Sequence, residues 1–316
     1  MICSSKQQAV YAIVGPTASG KTALGVSLAL AIGGEVINCD SVQIYKKIQI
    51  ATAKPSEDEK RGVPHHLIDY VDPNISYTAA DWAKDAAKSI AEIESRRKTA
   101  ILVGGSGFYL RTLRRPLFDG PKTDDRLRKK LGAIKEKKGS EHLHKLLRKF
   151  DPDSADKLFP RDYVRVIRAL EVYFQTGKTI SEQQPERAEV PEFAGRLQIF
   201  VLNPPRDELY AKINRRTEHH FAAGLVDEVK HLLESGVKDT GRALGSHGYR
   251  RVCESLRAER SLESAVEKTK QDIRNYAKRQ LTWFRREEGV IWLGGFGDEP
   301  EINDLLLELV RGRAII

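Results

Sequence analysis

The sequence has few cysteines and no long apolar run. Its 316 residues include Cys3, Cys39 and Cys253, an odd number without the spacing of a metal site. This scarcity argues against a disulfide framework and indicates a reducing compartment. The longest uncharged apolar run, Thr22–Gly34, is shorter than the ~20 residues of a membrane-spanning helix. The first residues, MICSSKQQ, lack the apolar core of a signal peptide, so we expect a cytoplasmic protein without a membrane partner.

Basic residues outnumber acidic ones. The chain has 53 Lys and Arg against 44 Asp and Glu, a formal net charge of +9. Such an excess favours a polyanionic partner such as nucleic acid, although a solvated basic surface explains the charge equally well. The charge alone therefore suggests a nucleic-acid partner but does not distinguish it from a solvated basic surface.

Short β-branched runs alternate with helical patterns along most of the chain. The runs that predict buried strands are YAIV, EVINC, AILVGG, LQIFVL and VIWLGG. A helical segment after the second run places Trp82, Ala86, Ile90 and Ile93 on one face, and Thr78 with Asp81 forms a predicted capping box. The alternation predicts an α/β fold, a P-loop NTPase-like parallel sheet with helices on both faces.

A basic, helical stretch without a strand pattern interrupts this alternation. One of its predicted helices ends near Gly177, and QQPERAEVPEF has the composition of a linker. We therefore predict an α/β core of residues 1–120 and 195–316 with a helical insertion domain at 121–194.

The segment GPTASGKT matches the phosphate-binding pattern G-x-x-x-x-G-K-[ST] between a predicted strand and a predicted helix. Backbone N–H groups and the helix N-terminus attract phosphate oxygens there. Lys21 can reach an outer phosphate, and the Thr22 hydroxyl suits Mg²⁺. The predicted phosphate-binding residues are Gly15, Pro16, Thr17, Ala18, Ser19, Gly20, Lys21 and Thr22.

The acidic residue expected near such a loop follows the second strand rather than a later one. EVINC is followed by Asp40, whereas AILVGG ends in glycines. Because the carboxyl ends of parallel strands share one crevice, Asp40 should lie beside the phosphate loop. Its carboxylate suits a general base for an incoming nucleophile. Capping the next segment or holding Mg²⁺ are alternative roles for Asp40.

Seven segments, in order and across nearly the whole chain, resemble the tRNA dimethylallyltransferase family. They are GPTASGKT, DSVQIYKKIQIATAKP, GVPHHLID, VGGSGFYL, RVIRALEVYFQTGKT, INRRTEHHFAAGLVDEV and NYAKRQLTWFR. The resemblance implies transfer of a dimethylallyl group from dimethylallyl diphosphate to the exocyclic amine of the adenosine 3′ of the anticodon in tRNA. It implies that the loop holds the diphosphate, that Mg²⁺ is the cofactor and that the tRNA anticodon stem-loop is the partner. We expect a monomer.

The resemblance also implies roles for individual residues. Asp40 is the base, while Lys21, Thr22 with Mg²⁺, and Arg216 neutralise the diphosphate, with Arg215 as the competing assignment. Ser106 stands where the family usually has threonine and keeps the hydroxyl. The implied tRNA-binding residues are Asp40, Ser41, Val42, Gln43, Ser106, Val164, Arg165, Val166, Ile167, Arg168, Lys278, Arg279, Gln280 and Arg285. Taken alone, the charged residues of this set are typical of solvated helix faces.

The histidines do not have the spacing that is typical of a metal-binding site. His65 and His66 have no nearby Cys/His set and are expected to be structural and to line the site, while His142 and His144 are expected at the surface. The chain also departs from the family, with His220 where methionine is typical and with Ser246–Gly248 as apparent extra residues.

Two other classes of protein share some of these features. A P-loop small-molecule kinase would have the same loop and an Asp after the second strand, but it needs no polyanionic partner, and the net charge of +9 and KRQLTWFR argue against it. An RNA-binding module with a vestigial loop is disfavoured because Lys21, Thr22 and Asp40 are all present.

Overall fold

The computed structural model describes residues 8–118, 120–183 and 189–312. Cys3, nearly all of MICSSKQQ and the middle of the QQPERAEVPEF linker lie outside these ranges. The chain forms two compact units, Met1–Arg114 with Pro191–Ile316, and Arg115–Val190. The second unit begins and ends a few residues earlier than the expected insertion of 121–194.

A six-stranded parallel sheet forms the centre of the first unit, in the order β3-β2-β4-β1-β5-β6. The strands are β1 Val10–Val14, β2 Gly34–Asn38, β3 His65–His66, β4 Thr99–Gly104, β5 Leu197–Leu202 and β6 Val290–Leu293. Five of them lie on the predicted runs, which confirms the parallel α/β fold. The two-residue edge strand β3 is additional. His66 Nε2 contacts Glu35 Oε2 at 2.7 Å there, a structural contact.

Helices separate the strands in chain order. They are α1 Lys21–Ile32, α2 Glu57–Lys60, α3 Ala79–Ser95, α4 Gly107–Arg114, α5 Asp125–Lys138, α6 Ser140–Phe150, α7 Pro152–Lys157, α8 Tyr163–Thr176, α9 Ile180–Gln183, α10 Arg206–Ala222, α11 Leu225–Glu234, α12 His247–Leu256, α13 Leu262–Phe284 and α14 Pro300–Val310. Short 3₁₀ helices cover Ile50–Thr52 and Glu192–Arg196. Within the described ranges, no helix combines the length and the apolarity needed to cross a membrane.

Both faces of the sheet are covered by apolar packing. Val10, Ala12 and Val14 of β1 belong to one buried cluster, whereas Tyr11 and Ile13 belong to another. This alternation explains why the central strands are apolar throughout, since a parallel sheet is buried on both sides. The predicted apolar face of α3 lies in the first cluster, and the capping box at its start is confirmed.

The second unit is helical, with its own core. Leu143, Leu147 and Leu170 are fully buried in it, and α8 ends at Gly177 in the left-handed conformation, as predicted. His144 was expected at the surface, and this was wrong. Its Nε2 lies 2.9 Å from Ala155 O and 2.8 Å from Leu158 O, so it joins α6 to the end of α7, while His142 is exposed.

Candidate active site

The phosphate loop connects β1 to α1 and is stabilised by its own contacts. Gly20 precedes the helix with φ +83°, and a side chain there would lie 2.8 Å from the Asp298 and Gly297 nitrogens. Ser19 Oγ donates to Pro16 O at 2.8 Å, and Lys21 Nζ donates to the same oxygen at 2.5 Å. The loop therefore has a formed backbone on which phosphate oxygens can bind.

The pKa of the Lys21 ammonium group is lowered to near neutral pH. Desolvation lowers its pKa to about 7, with Asp40 opposing this shift and Arg216 adding to it. A bound phosphate would favour the ammonium form, because an opposite charge nearby stabilises it. The lysine is thus suited to an anionic ligand.

Asp40 follows β2 and has one of the alternative roles considered for it, that of a cap. Its Oδ1 accepts hydrogen bonds from Val42 N at 2.9 Å and from Gln43 N at 3.4 Å, so it does cap the next turn. Its second oxygen forms no hydrogen bond with the residues described. Trp82 Nε1 donates to Asn38 O at 2.9 Å and fixes the end of the strand. One carboxylate oxygen therefore remains for a substrate.

Arg216 rather than Arg215 reaches the loop. It donates to Thr17 Oγ1, and burial lowers its pKa against the effect of Asp40. Arg215, the next residue on α10, is exposed. The sequence left open whether Arg215 or Arg216 contacts the diphosphate, and the geometry favours Arg216.

Ser106 joins the ends of two neighbouring strands. Its Oγ accepts a hydrogen bond from Ser41 N at 3.0 Å, and its N donates to Cys39 O at 3.1 Å. Burial and the charge of Asp40 raise the pKa of Tyr276, against a hydrogen bond with the Ser106 side chain. Ser106 is thus placed to orient the segment that carries Asp40.

Gln280, one of the residues predicted to bind tRNA, has a largely buried side chain. It is 5% exposed. Its Oε1 accepts from Thr17 N at 2.9 Å, and its Nε2 donates to Gly105 O at 2.9 Å. The side chain therefore connects the phosphate loop to the turn after β4, and it also lines the phosphate-loop cavity. Its contact with tRNA stays a prediction. The neighbouring Lys278 and Arg279 are exposed, as is Arg285.

Two cavities meet at Asp40. The first, of about 420 Å³, is lined by the phosphate loop from Thr17 to Ala23 and by Gln43. The second, of about 740 Å³, is lined by Ser41, Val42, aromatic side chains and Arg279. The residues that line both are Thr17, Asp40, Thr52 and Arg216. A group held in the loop and a group held in the larger cavity would thus both contact Asp40.

The larger cavity contains residues that the sequence did not assign to the site. Phe108, Tyr276 and His220 line it, as do Ser246–Gly248 at the start of α12. His220 and Ser246–Gly248 had a signal in the sequence, since both departed from the family pattern. Phe108 belongs to VGGSGFYL, one of the segments that resemble the family, but a single aromatic residue after a glycine-rich turn did not by itself indicate a place in the site.

The predicted tRNA-binding segment of the second unit lies on α8. Val164 is 63% exposed, and Arg165 forms an exposed ion pair with Asp162. Val166 is fully buried in the core of the unit, so its prediction as a tRNA contact was wrong, because the helix turns it inward. Ile167 is partly buried, and Arg168 donates to Glu171 Oε2 at 2.9 Å and to Pro121 O at 2.7 Å.

Comparisons with known proteins agree with this geometry. Residues 43–287 match the family model described as IPP transferase. The tRNA dimethylallyltransferase of Geobacter metallireducens is 45% identical over 302 residues, which are 95% of this chain and 96% of that protein. That of Solibacter usitatus is 42% identical over 95% of this chain and 97% of the relative.

Solved structures have the same fold. The full-length tRNA isopentenylpyrophosphate transferase of Bacillus halodurans superposes with a TM-score of 0.70 at 37% identity, covering 98% of both chains. A eukaryotic dimethylallyltransferase acting on tRNA gives a TM-score of 0.78 at 29% identity, covering 98% of this chain and 81% of that one. Because the family model matches well over half of the chain and the relatives span nearly all of it, the chain belongs to the IPP transferase family.

Proposed function

We propose that this protein transfers a dimethylallyl group from dimethylallyl diphosphate to the exocyclic amine of the adenosine 3′ of the anticodon in tRNA. The observation that carries the proposal is the position of Asp40 between the phosphate-loop cavity and the larger cavity. A diphosphate in the loop and an adenosine in the larger cavity would then meet at a carboxylate. Membership of a family whose relatives are tRNA dimethylallyltransferases supports the choice of reaction.

The acceptor amine is a weak nucleophile, because its lone pair is delocalised into the adenine ring. In the proposed step the amine nitrogen forms a bond to C1 of the dimethylallyl group as the bond from C1 to the diphosphate oxygen breaks. The free oxygen of Asp40 takes the amine proton. Alignment of the two substrates across the carboxylate supplies much of the rate.

The leaving diphosphate gains negative charge, and three groups of this chain can stabilise it. They are the backbone N–H groups of the loop, Lys21 and Arg216. Because Lys21 and Arg216 lie in a desolvated environment that lowers both pKa values, their interaction with an anion is strengthened relative to water.

The residues of the loop also fit a magnesium ion. Mg²⁺ commonly takes only one or two protein ligands together with phosphate oxygens and water. The Thr22 hydroxyl lines the phosphate cavity, and the described residues contain no group of three His, Cys, Asp or Glu that could hold a metal without the substrate. We propose that Thr22 holds Mg²⁺ against the diphosphate, where the ion would neutralise the charge of the leaving group.

The acceptor must leave the stack of the anticodon loop to enter a cavity. Extruding a base costs a few kcal/mol, least where the base is unpaired. Lys278 and Arg279 on α13 and Arg285 just after it are exposed and offer positive charge for phosphates of the tRNA.

One assay with two donors tests the proposal. The protein is incubated with Mg²⁺ and unmodified tRNA that carries adenosine 3′ of the anticodon, with dimethylallyl diphosphate in one tube and ATP in the other. Mass spectrometry of the digested tRNA should show prenylated adenosine only with the prenyl donor. Asp40→Asn should lose the product, whereas the exposed Asp58→Asn should keep it. Consumption of ATP with a small acceptor and no prenylated tRNA would favour the kinase.

A further inference from the structure

His220 is a buried polar residue whose side chain lacks a protein partner. It lies on α10 and is 8% exposed, and it lines the larger cavity beside Asp40. None of the residues in the described ranges forms a hydrogen bond with its imidazole. Because the ring borders the cavity, its nitrogens are available for a hydrogen bond with a polar group of a ligand bound there.

The charge state of this imidazole limits what it can bind. Burial, together with the nearby charges of Arg216 and His219, lowers the pKa of His220 to about 4. The ring is therefore neutral at physiological pH, with one nitrogen donating and the other accepting a hydrogen bond. A neutral ring suits a neutral polar group rather than a phosphate.

The position of His220 indicates which of the two substrates it would contact. It lines the larger cavity but not the cavity that holds Lys21 and Thr22. The lining of the larger cavity includes aromatic side chains of the kind that bind extruded bases, Phe108 and Tyr276 among them. The dimethylallyl tail has no group that could form a hydrogen bond, whereas adenine has ring nitrogens that accept one.

We propose that His220 donates a hydrogen bond to a ring nitrogen of the acceptor adenine and so positions that base and selects for it. The proposal rests on the proposed function, since it assumes an adenosine acceptor. It assigns a role to a residue at which this chain departs from the family pattern.

The test measures steady-state kinetics with an anticodon stem-loop RNA and dimethylallyl diphosphate. His220→Met removes the hydrogen-bonding group at similar size, and His220→Gln keeps a donor. We expect His220→Met to lower kcat/KM for the RNA about tenfold, the effect of one lost hydrogen bond, and His220→Gln to recover part of it. KM for dimethylallyl diphosphate should change less than about twofold. His219→Met, on the exposed neighbour, is the matched control and should behave as the unaltered protein.

Acceptor analogues identify the atom involved. RNAs with 1-deaza-, 3-deaza- or 7-deazaadenosine at the acceptor position each remove one ring nitrogen. One of them should lower kcat/KM in the unaltered protein and cause a much smaller further loss in His220→Met, because the two changes remove the same bond.

Three outcomes would overturn the assignment. The first is unchanged kinetics in His220→Met. The second is a loss of kcat/KM that, for every analogue, simply adds to the loss caused by His220→Met. The third is a change in His220→Met that is confined to KM for dimethylallyl diphosphate. The proposed function fails separately, if the unaltered protein forms no prenylated adenosine at all.

Discussion

Gln280 connects the phosphate loop to the turn after β4, and Gln280→Glu tests this connection at constant size. The Oε1 that accepts from Thr17 N remains in the variant. The Nε2 that donates to Gly105 O is replaced by a second oxygen. A charged carboxylate would therefore face a carbonyl oxygen in a site that is 5% exposed, whereas a protonated carboxyl group can still donate to it.

The cost of the change depends on pH in a calculable way. An unfolded glutamate has a pKa of about 4.3, and each unit of pKa shift corresponds to about 1.4 kcal/mol. Keeping the group protonated costs about 1 kcal/mol at pH 5 and about 4 kcal/mol at pH 7.5. The folded-state pKa of the introduced group is raised, so the loss of stability grows as pH rises above about 4.3 and stops at the folded-state pKa.

Urea unfolding followed by tryptophan fluorescence measures this loss, since Trp82, Trp283 and Trp292 lie in the same unit as Gln280. The free energy of unfolding of Gln280→Glu should fall below that of the unaltered protein by about 1 kcal/mol at pH 5 and by up to about 4 kcal/mol at pH 7.5. Gln271→Glu, exposed on the same helix, should change it by less than about 0.5 kcal/mol at both pH values. An equal loss at both pH values would refute the reasoning.

Three further predictions concern charged groups. Arg216→Ala should lower kcat/KM for dimethylallyl diphosphate about 100-fold or more, and Arg215→Ala less than about threefold; similar losses in both would contradict the contact with Thr17. Because the pKa of Lys21 is about 7, dimethylallyl diphosphate binding at pH 8 should take up a proton, measurable by calorimetry in two buffers and abolished in Lys21→Met. Burial raises the pKa of Glu254, but its arginine partners, Arg251 first, lower it to about 2. The stability that this carboxylate provides is therefore present above its ordinary pKa of 4.5 and is lost as pH falls toward 2. Between pH 5 and 3 the Tm should fall more steeply in the unaltered protein than in Glu254→Gln.

The sequence predicted the parts of the fold that depend on local pattern. Buried parallel strands are apolar throughout, so five of the six were visible as runs, whereas the two residues of β3 are too short to form one. The phosphate loop was visible because its spacing is fixed by the backbone conformation that binds an anion. Asp40 followed from the rule that strand ends share a crevice, and both cavities do meet at it.

Side-chain direction on helices was harder to predict. In KRQ the first two residues are exposed, while Gln280 turns inward toward Thr17, 263 residues away in sequence. Val166 likewise faces the core, although Val164 and Arg165 just before it are exposed. The family resemblance implied RNA binding for each whole segment. Which residue of a segment faces inward depends on the element packed against it, and a local pattern does not contain that information.

The tie between Thr17 and Gln280 has a consequence for synthesis of the chain. The phosphate loop leaves the ribosome long before α13, which carries the side chain that holds the loop. The strand before the loop also pairs with β4 and β5, which emerge much later. A nascent chain cannot form these long-range contacts until the distant segments have been synthesised. A nascent chain that stops before residue 280 would thus contain the whole GPTASGKT segment but lack the Gln280 side chain that holds the loop.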